Sequence, residues 1–315
     1  MWDVHAHVVP PTVVRAAETG AFGLQTDGRW LLVDGERVPL EPLTDIEALK
    51  SYATSQGMSL VLSVPPAFFR PQYSDGDLWC RFVNDAMAEV REQVGNSSEI
   101  TAILPLGVPD QALAEWARVS RTAVGITMGA SVGEWLLGDS HLRPVWQALS
   151  VKDVLVLVHG GHHADPRLKH HYLDNLLGYP YEDGLAVASL VFSDLPLTYP
   201  KIHWCISHGG GAAPFLVGRW QRGYDTGRPG IDKALPSPHE SLRRLWLDSV
   251  VHDMRVLQWL MDELPGRVVL GTDYPFPMGI HDDVTARRLP LTILNRLAEN
   301  GTQLMNLVRK GRAEA

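Results

Sequence analysis

Short apolar runs rich in β-branched residues recur along the chain, and patterns typical of helices separate most of them. Such alternation predicts an α/β fold, in which helices join the strands of one parallel sheet. Because eight such runs can close a parallel barrel, we predict a TIM-like (β/α)8 barrel that takes up residues 1–315 as a single domain. The predicted strands are 2–6, 58–64, 101–106, 124–128, 153–158, 201–207, 245–249 and 267–271, and the clearest helical patterns are 43–56, 77–94 and 111–121.

One segment interrupts the alternation. Residues 20–42, between the first strand and the first helix, contain two Asp-Gly turn dipeptides, at 27–28 and 34–35, between short apolar stretches. This pattern predicts a small β insertion at the barrel mouth. Arg37 lies in the insertion and could reach a substrate from there, but a solvated Arg on a surface hairpin explains the pattern equally well.

The composition indicates a globular protein and argues against nucleic-acid binding and membrane proteins. The chain has 315 residues, a net charge of -8 and 45% hydrophobic residues, which is ordinary globular usage. The lack of a Lys and Arg cluster argues against a nucleic-acid surface. No apolar run is long enough to span a membrane, and the first predicted strand begins too near Met1 to leave room for a signal peptide. We therefore expect a cytoplasmic protein, in which Cys80 and Cys205 pack in the interior.

Histidine and aspartate stand at the ends of several predicted strands. His5 and His7 lie on the first strand, and His159, His208 and Asp273 follow the fifth, sixth and eighth strands. In a parallel barrel the carboxyl ends of the strands meet at one mouth, so these side chains should converge. Alternate residues on a strand point to the same face, which lets the first two imidazoles bind one ion. Such nitrogen ligands suit zinc and similar divalent metals.

Other polar residues near the mouth have different expected roles. Asp3 lies deeper on the first strand, where a carboxylate can orient neighbouring ligands through hydrogen bonds. The tract of His162, His163, His170 and His171 could suggest a second metal, but a solvated loop explains it better. No Lys ends a predicted strand in the middle of the chain, so a carbamylated lysine between two metals is not expected. We predict one divalent ion, zinc as the first expectation and manganese as the second, and no organic cofactor.

Three longer motifs surround these residues. They are His-Gly-Gly-Gly at 208–211, Phe-Leu-Val-Gly-Arg at 215–219 and Gly-Thr-Asp-Tyr-Pro-Phe-Pro-Met-Gly at 271–279. Together with the His-x-His pair, they resemble the amidohydrolase superfamily, in its branch of aminocarboxymuconate semialdehyde decarboxylase and related nonoxidative decarboxylases. The resemblance runs across nearly the whole chain. One departure follows the fifth strand, where the family often has Pro after its His and this chain has Gly-Gly-His-His at 160–163.

The resemblance implies a role for each of the five strand-end residues. His5, His7, His159 and Asp273 would ligate the ion, and His208 would contact the water that the ion binds.

The resemblance also implies how a substrate is held. Arg37 is similar to a family Arg that binds the substrate carboxylate. Arg219 is similar to one that enters the site from the partner subunit, which implies a homodimer with shared sites. A solvated Arg on a helix face is the alternative for Arg219. Phe276 could stack on a flat, conjugated substrate.

Two enzymatic functions fit these roles. The first is metal-dependent, nonoxidative decarboxylation of an aromatic or muconate-type carboxylic acid, in which a metal-bound water and His208 move the proton. The alternative is a hydrolase that attacks an amide, a lactone or an amine-bearing ring carbon, with Asp273 and His208 moving protons. The ligand set fits both, and the longer motifs favour the decarboxylase. A barrel that keeps metal only as a binding module would not need His208.

Overall fold

The computed structural model describes residues 1–70, 76–161, 165–285 and 287–313. Its main sheet contains seven parallel strands in the order β1-β5-β6-β7-β10-β11-β12, and a small antiparallel sheet of β2, β3 and β4 lies apart from it. The strands are β1 (Trp2–His7), β2 (Gln25–Asp27), β3 (Trp30–Val33), β4 (Glu36–Pro39), β5 (Ser59–Ser63), β6 (Ser98–Ala102), β7 (Gly125–Met128), β8 (Ser131–Val132), β9 (Trp135–Leu136), β10 (Val154–Val158), β11 (Ile202–Ile206) and β12 (Trp246–Leu247).

Helices follow most strands of the main sheet, which is the α/β alternation that the sequence predicts. Within the described ranges, none has the length and apolar character needed to cross a bilayer. The helices are α1 (Pro11–Glu18), α2 (Ile46–Gln56), α3 (Gly76–Val94), α4 (Pro109–Val119), α5 (Arg143–Leu149), α6 (Tyr179–Val191), α7 (Leu195–Thr198), α8 (Ala213–Asp225), α9 (Pro238–Leu242), α10 (Met254–Glu263), α11 (His281–Thr285) and α12 (Leu291–Ala313).

The segment after Arg267 closes the sheet into a barrel without forming a regular strand. On one side, Val269 N donates to Leu247 O at 2.9 Å. On the other side, Val4 N donates to Leu270 O at 2.8 Å and His7 N donates to Tyr274 O at 2.7 Å. The predicted eighth strand therefore occupies its expected place, but its ladder is interrupted. The (β/α)8 architecture is confirmed, with this strand as its irregular member.

The third predicted strand, 101–106, is shifted from the observed β6, which ends at Ala102. The backbone of Ile103 bonds to a side chain instead of a neighbouring strand, since both its N–H and its carbonyl pair with the Asn84 amide at 2.9 Å. The chain therefore leaves the sheet at Ile103, although its apolar sequence continues.

The barrel interior is filled at the end opposite the mouth. Val4, Val61 and Leu157 pack there with Cys205 from β11, and Leu304 of α12 joins the same cluster. Cys80 packs in the layer between sheet and helices, and both cysteines are buried free thiols. This agrees with the packing role predicted for them.

A buried carboxylate ties α12 to the barrel. Glu99 on β6 is 2% exposed, accepts hydrogen bonds from Arg91 at 3.2 Å and Arg312 at 2.8 Å, and forms an ion pair with Arg309 at 3.1 Å. We expect Glu99→Gln to lower the free energy of unfolding by about 2 kcal/mol, because it leaves partly buried guanidinium groups without their anion. Urea denaturation measures the change. The exposed Glu92→Gln on α3 is the matched control, and equal midpoints for the two variants would contradict the expectation.

Candidate metal centre

The structure brings together four of the five strand-end residues as a compact cluster. His5 and His7 come from β1, His159 follows β10, and Asp273 lies on the closing segment. All four are buried, and one ligand atom from each lies within 4.8 Å of the others. The Nε2 atoms of His5 and His7 are 3.0 Å apart, and each lies close to Asp273 Oδ1, at 3.4 and 3.1 Å.

Two atoms of the cluster show that it is suited to a cation. His159 Nε2 and Asp273 Oδ1 are buried and have no hydrogen-bond partner among the described residues. Buried polar atoms normally have a partner, so these two indicate a ligand. Three imidazole nitrogens and one carboxylate oxygen are a donor set that divalent transition metals accept. The residues therefore fit one divalent ion.

A carboxylate behind His5 sets the orientation of that ligand. Asp248, just after β12, accepts from His5 Nδ1 at 2.6 Å through Oδ2. Its Oδ1 accepts from the N–H groups of Gly209 and Val250 at 2.9 and 3.1 Å. With Nδ1 occupied, the Nε2 atom of His5 faces the other ligands, as in many metal sites.

The other two imidazoles are held in the same way. His7 Nδ1 is 3.2 Å from Ser63 Oγ, and His159 Nδ1 donates to Gly160 O at 2.5 Å. In all three imidazoles, Nδ1 thus contacts a polar group outside the cluster, and Nε2 faces the cluster.

Asp3 lies beneath the cluster and does not contribute to it. Its Oδ1 accepts from the N–H groups of Thr272 and His5 at 3.0 and 3.2 Å, and its Oδ2 accepts from Thr272 Oγ1 at 2.5 Å. Burial raises the pKa of Asp3 to about 7, although the hydrogen bonds from Thr272 and His5 oppose the increase. Asp3 holds the backbone of the two segments that carry His5 and Asp273, which is an indirect form of the orienting role predicted for it.

The protonation states of the cluster suit metal binding. Burial lowers the pKa of His7, and it lowers the pKa of His159 well below its usual value. Burial alone would raise the pKa of Asp273, but the close contact with His7 and the charges of the neighbouring imidazoles outweigh it and lower that pKa. For His5, burial lowers the pKa, but the hydrogen bond to Asp248 and the charges of Asp273 and Asp248 together outweigh it and raise the pKa. Most of the cluster is thus already in the deprotonated form that ligation requires.

His208 lies beside the cluster rather than within it. Its ring centroid is 4.8 Å from that of His159 and 5.7 Å from that of His5. Its Nδ1 is 2.7 Å from the Oδ2 atom of Asp183, a buried residue of α6. Burial lowers the pKa of His208, but the charge and hydrogen bond of Asp183 outweigh this effect and raise the pKa to about 9.

Two of these residues have a strained backbone. His208 and Asp273 have φ values of 49° and 57°, in the left-handed region that residues with a side chain rarely adopt. Such strain is concentrated at functional sites, where the surrounding structure maintains it. Both residues follow a strand of the barrel, so the strained turns direct their side chains at the mouth.

A cavity of about 780 Å³ opens above the cluster. His159, His208 and Asp273 form part of its floor, and aromatic side chains line much of its wall. The predicted stacking residue Phe276 is among them, with its ring centroid 5.2 Å from that of His7. The aromatic lining residues are Trp30, Tyr172, Tyr179, Phe215 and Phe276.

The two predicted substrate-binding arginines lie in different places relative to the cavity. Arg37 lies on β4 of the insertion and lines the cavity. Its side chain is 63% exposed, and its ion pair with Asp27 Oδ2 is long, at 3.5 Å. The guanidinium group is therefore accessible to a ligand in the cavity. Arg219 lies exposed on α8 and is not among the residues that line this cavity. Within the described part of one subunit, Arg37 is brought to the site and Arg219 is not.

The His-rich tract gives no second cluster among the described residues. His170 and His171 are exposed, and neither belongs to the group that could hold a metal. His162 and His163 lie outside the described residues.

Two carboxylates of the site were missed at the sequence level. Asp248 follows an apolar strand in Leu-Trp-Leu-Asp-Ser, the same signal that identified Asp273. Asp183 lies within the helical pattern Tyr-Pro-Tyr-Glu-Asp-Gly-Leu-Ala, which contains no signal that separates it from a solvated helical Asp.

Three His and one Asp gathered at the mouth of a parallel barrel define a barrel protein with a candidate site for one metal ion. The chain belongs to the amidohydrolase family, because the family model described as Amidohydrolase matches residues 2–300.

Similar proteins fall among decarboxylases. The chain is 30% identical over 229 residues to 2-amino-3-carboxymuconate-6-semialdehyde decarboxylase of Dictyostelium discoideum, covering 70% of this chain and 63% of that protein. It is 26% identical over 286 residues to 6-methylsalicylic acid decarboxylase of Penicillium expansum, covering 87% of this chain and 84% of that protein. The matches thus span less than two thirds of the Dictyostelium protein.

A solved structure shows the same fold. Dihydroxybenzoic acid decarboxylase of Polaromonas sp. JS666, with bound manganese and the inhibitor 2-nitroresorcinol, superimposes with a TM-score of 0.77 at 17% identity. The match covers 97% of this chain and 96% of that one.

Proposed function

We propose that this protein is a metal-dependent, nonoxidative decarboxylase of an aromatic or muconate-type carboxylic acid. The observation that carries the proposal is the position of His208: a proton-bearing imidazole beside a four-ligand cluster, on the floor of an aromatic-lined cavity. The named relatives support it, since both are decarboxylases of unsaturated or aromatic acids.

His5, His7, His159 and Asp273 are the residues that would hold the ion, and we propose zinc as the native metal. A bound divalent ion would supply a Lewis acid that stabilises negative charge on a substrate oxygen. The manganese in the Polaromonas enzyme supports a divalent ion and leaves manganese as the alternative to zinc. Metal analysis of the protein as purified decides between them.

The chain's own residues account for substrate binding and proton transfer. Arg37 would hold the substrate carboxylate or a second acidic group by charge-assisted hydrogen bonds, and Phe276 would pack on the flat ring. The Nε2 atom of His208 would deliver a proton to the carbon that bears the carboxylate. The carbon–carbon bond then breaks, its electron pair returns to the ring, and carbon dioxide leaves. The net reaction replaces the carboxylate with hydrogen and needs no oxidant or organic cofactor.

We further propose a homodimer in which Arg219 reaches the partner's cavity. Its exposure on α8 supports this, as does the apolar surface beside it, where the Phe215 side chain is 72% exposed and stacks on Trp259. Sedimentation measures the subunit number. The cytoplasmic location stays a prediction.

Carbon dioxide release tests the proposed reaction. Zinc-loaded and manganese-loaded protein would be incubated with 6-methylsalicylate, 2,6-dihydroxybenzoate and their methyl esters in water labelled with oxygen-18. We expect carbon dioxide and the decarboxylated ring in equal amounts from an acid, with no label in the organic product. Labelled oxygen in the organic product, together with turnover of the esters, would establish the hydrolase instead.

The role of Arg37 can be tested on whichever acid is turned over. We expect Arg37→Ala to raise KM by about 10-fold or more with kcat changed by less than about 3-fold, because a lost charge-assisted hydrogen bond costs binding energy. Steady-state kinetics measure both constants. Arg15→Ala, an exposed change on α1, is the control, and an unchanged KM for Arg37→Ala would show that this side chain is solvated in the complex.

A further inference from the structure

A buried carboxylate on α6 has no part in the reaction described above. Asp183 is 0% exposed, and each of its oxygens faces the site. Oδ2 lies 2.7 Å from His208 Nδ1. Oδ1 accepts from the Gly160 N–H at 2.6 Å and from Ser207 Oγ at 3.0 Å. A carboxylate this far from water is costly unless its hydrogen bonds are satisfied, and here they are.

We infer that Asp183 is a positioning residue that fixes the tautomer and orientation of His208 and ties its position to that of the metal ligand His159. The inference rests on the proposed function insofar as His208 transfers a proton. The hydrogen bond from His208 Nδ1 to Asp183 does not depend on any substrate.

Asp183 determines the tautomer of His208. An ionised carboxylate only accepts hydrogen bonds, so the nitrogen that faces it carries a proton. Nδ1 of His208 is therefore the protonated nitrogen in both charge states of the ring. Nε2 becomes the atom that gives or takes a proton on the cavity side, because the ring has no other titrating position.

Asp183 also couples His208 to the metal cluster. Gly160 directly follows His159, and its N–H bonds to the same carboxylate that holds His208. The His159 ring in turn donates to the carbonyl of Gly160. One side chain on α6 thus fixes both the backbone behind His159 and the ring of His208. The centroids of the His159 and His208 rings are 4.8 Å apart.

Two glycines, Gly160 and Gly211, allow the start of α6 to come close to His208. A Cβ on Gly211 would lie 2.1 Å from Pro180 O and 2.9 Å from the Cβ of Asp183. A Cβ on Gly160 would lie 2.4 Å from Tyr179 O. Any side chain at these two positions would push the start of α6 away and remove Asp183 from His208. The last glycine of the Gly-Gly-Gly run, Gly211, is therefore required sterically by the approach of α6 that brings Asp183 to His208.

The helix is also irregular where it approaches the site. A π-helical turn, Asp174–Gly178, runs directly into α6, and such turns are often found at functional sites. Asp183 lies on the buried side of α6, where a solvated helical Asp would not lie.

The test uses Asp183→Asn, which keeps the shape and an amide oxygen for Gly160 but can turn an N–H toward His208. The imidazole must then accept at Nδ1 and carry its proton on Nε2. We expect kcat to fall about 100-fold or more, with KM within about 3-fold and one metal ion retained per chain, as when the orienting carboxylate of a catalytic His is neutralised. The matched control is Glu115→Gln, a buried carboxylate bonded to Asn84 and Arg118 outside the site. This control should lose stability without losing kcat.

A readout without substrate separates this inference from the proposed function. In zinc-loaded protein labelled with nitrogen-15 at His, the Nδ1–H resonance of His208, assigned by its absence in His208→Gln, should lie far downfield and disappear in Asp183→Asn. If the proposed reaction fails for every acid while this resonance behaves as expected, the positioning role stands. An unchanged His208 tautomer in Asp183→Asn would overturn it. If that variant does not fold, the wild-type protein decides, because a His208 without a proton on Nδ1 would also overturn it.

Discussion

A His208→Gln variant is expected to lose about 1,000-fold in kcat, within the range that a single general acid or base contributes. The glutamine amide can occupy the same space and accept or donate hydrogen bonds, but it cannot transfer a proton. Because His208 lies beside the cluster and not in it, with its Nδ1 on Asp183, the change removes no predicted ligand. Single-turnover kinetics on an acid that the wild-type protein decarboxylates measure the loss in the chemical step itself.

Two measurements make this result specific. Metal content should stay at the wild-type value, since the four ligands are unchanged, and KM should change much less than kcat. His170→Gln, an exposed change in the His-rich tract, is the matched control for replacing an imidazole near the mouth. A His208→Gln protein that turned over at the wild-type rate would remove His208 from the reaction and leave the cluster's other groups as candidates.

The convergence of the proposed metal ligands was predictable because it follows from the topology alone. Parallel strands that alternate with helices must place their carboxyl ends at one mouth, so His5, His159 and Asp273 could be brought together from their order in the sequence. No distance between these residues is needed for that prediction. Asp248 also follows an apolar strand, so its place at the mouth is equally predictable from the sequence.

Asp183 could not be predicted in this way, because its position depends on how closely a helix approaches a loop. That approach is decided by the missing side chains of Gly160 and Gly211, and the sequence shows them only as glycines that any turn could require. The irregular eighth strand is a similar case. Its apolar run predicts a regular ladder, but the left-handed backbone of Asp273 interrupts the ladder, which resumes at Tyr274, and the Asp273 carboxylate lies close to the imidazoles of His5 and His7.

The substrate side of the site was less predictable than the metal side. Arg37 lies on a hairpin whose placement over the mouth depends on loop packing, and Arg219 lies on a surface that only a second subunit could turn into part of a site. Ligand residues are fixed by the barrel, whereas residues that select the substrate lie on its loops and interfaces, where fold rules give little information.

A His159→Ala variant is expected to lose the ion and, with it, all measurable turnover. His159 is 3% exposed, and its Nε2 has no hydrogen-bond partner among the described residues, so the change removes one of the four donor atoms of the cluster. Even changes to groups behind a ligand weaken metal binding by about 10-fold to 100-fold, and loss of a ligand itself should exceed that range. Metal analysis after dialysis should therefore fall from one ion per chain to a small fraction.

Thermal unfolding with and without added zinc gives a second measure of the same loss. A ligand that binds only the folded state at about 100 times its Kd adds about 2.7 kcal/mol of stability, so the wild-type Tm should rise with zinc while that of His159→Ala should not. The matched control is His203→Ala, which removes a buried imidazole bonded to Asp153, on β11 and outside the cluster. It should lower the starting Tm but keep the zinc-dependent rise. If His159→Ala kept that rise and His170→Ala lost it, the ion would belong to the His-rich tract.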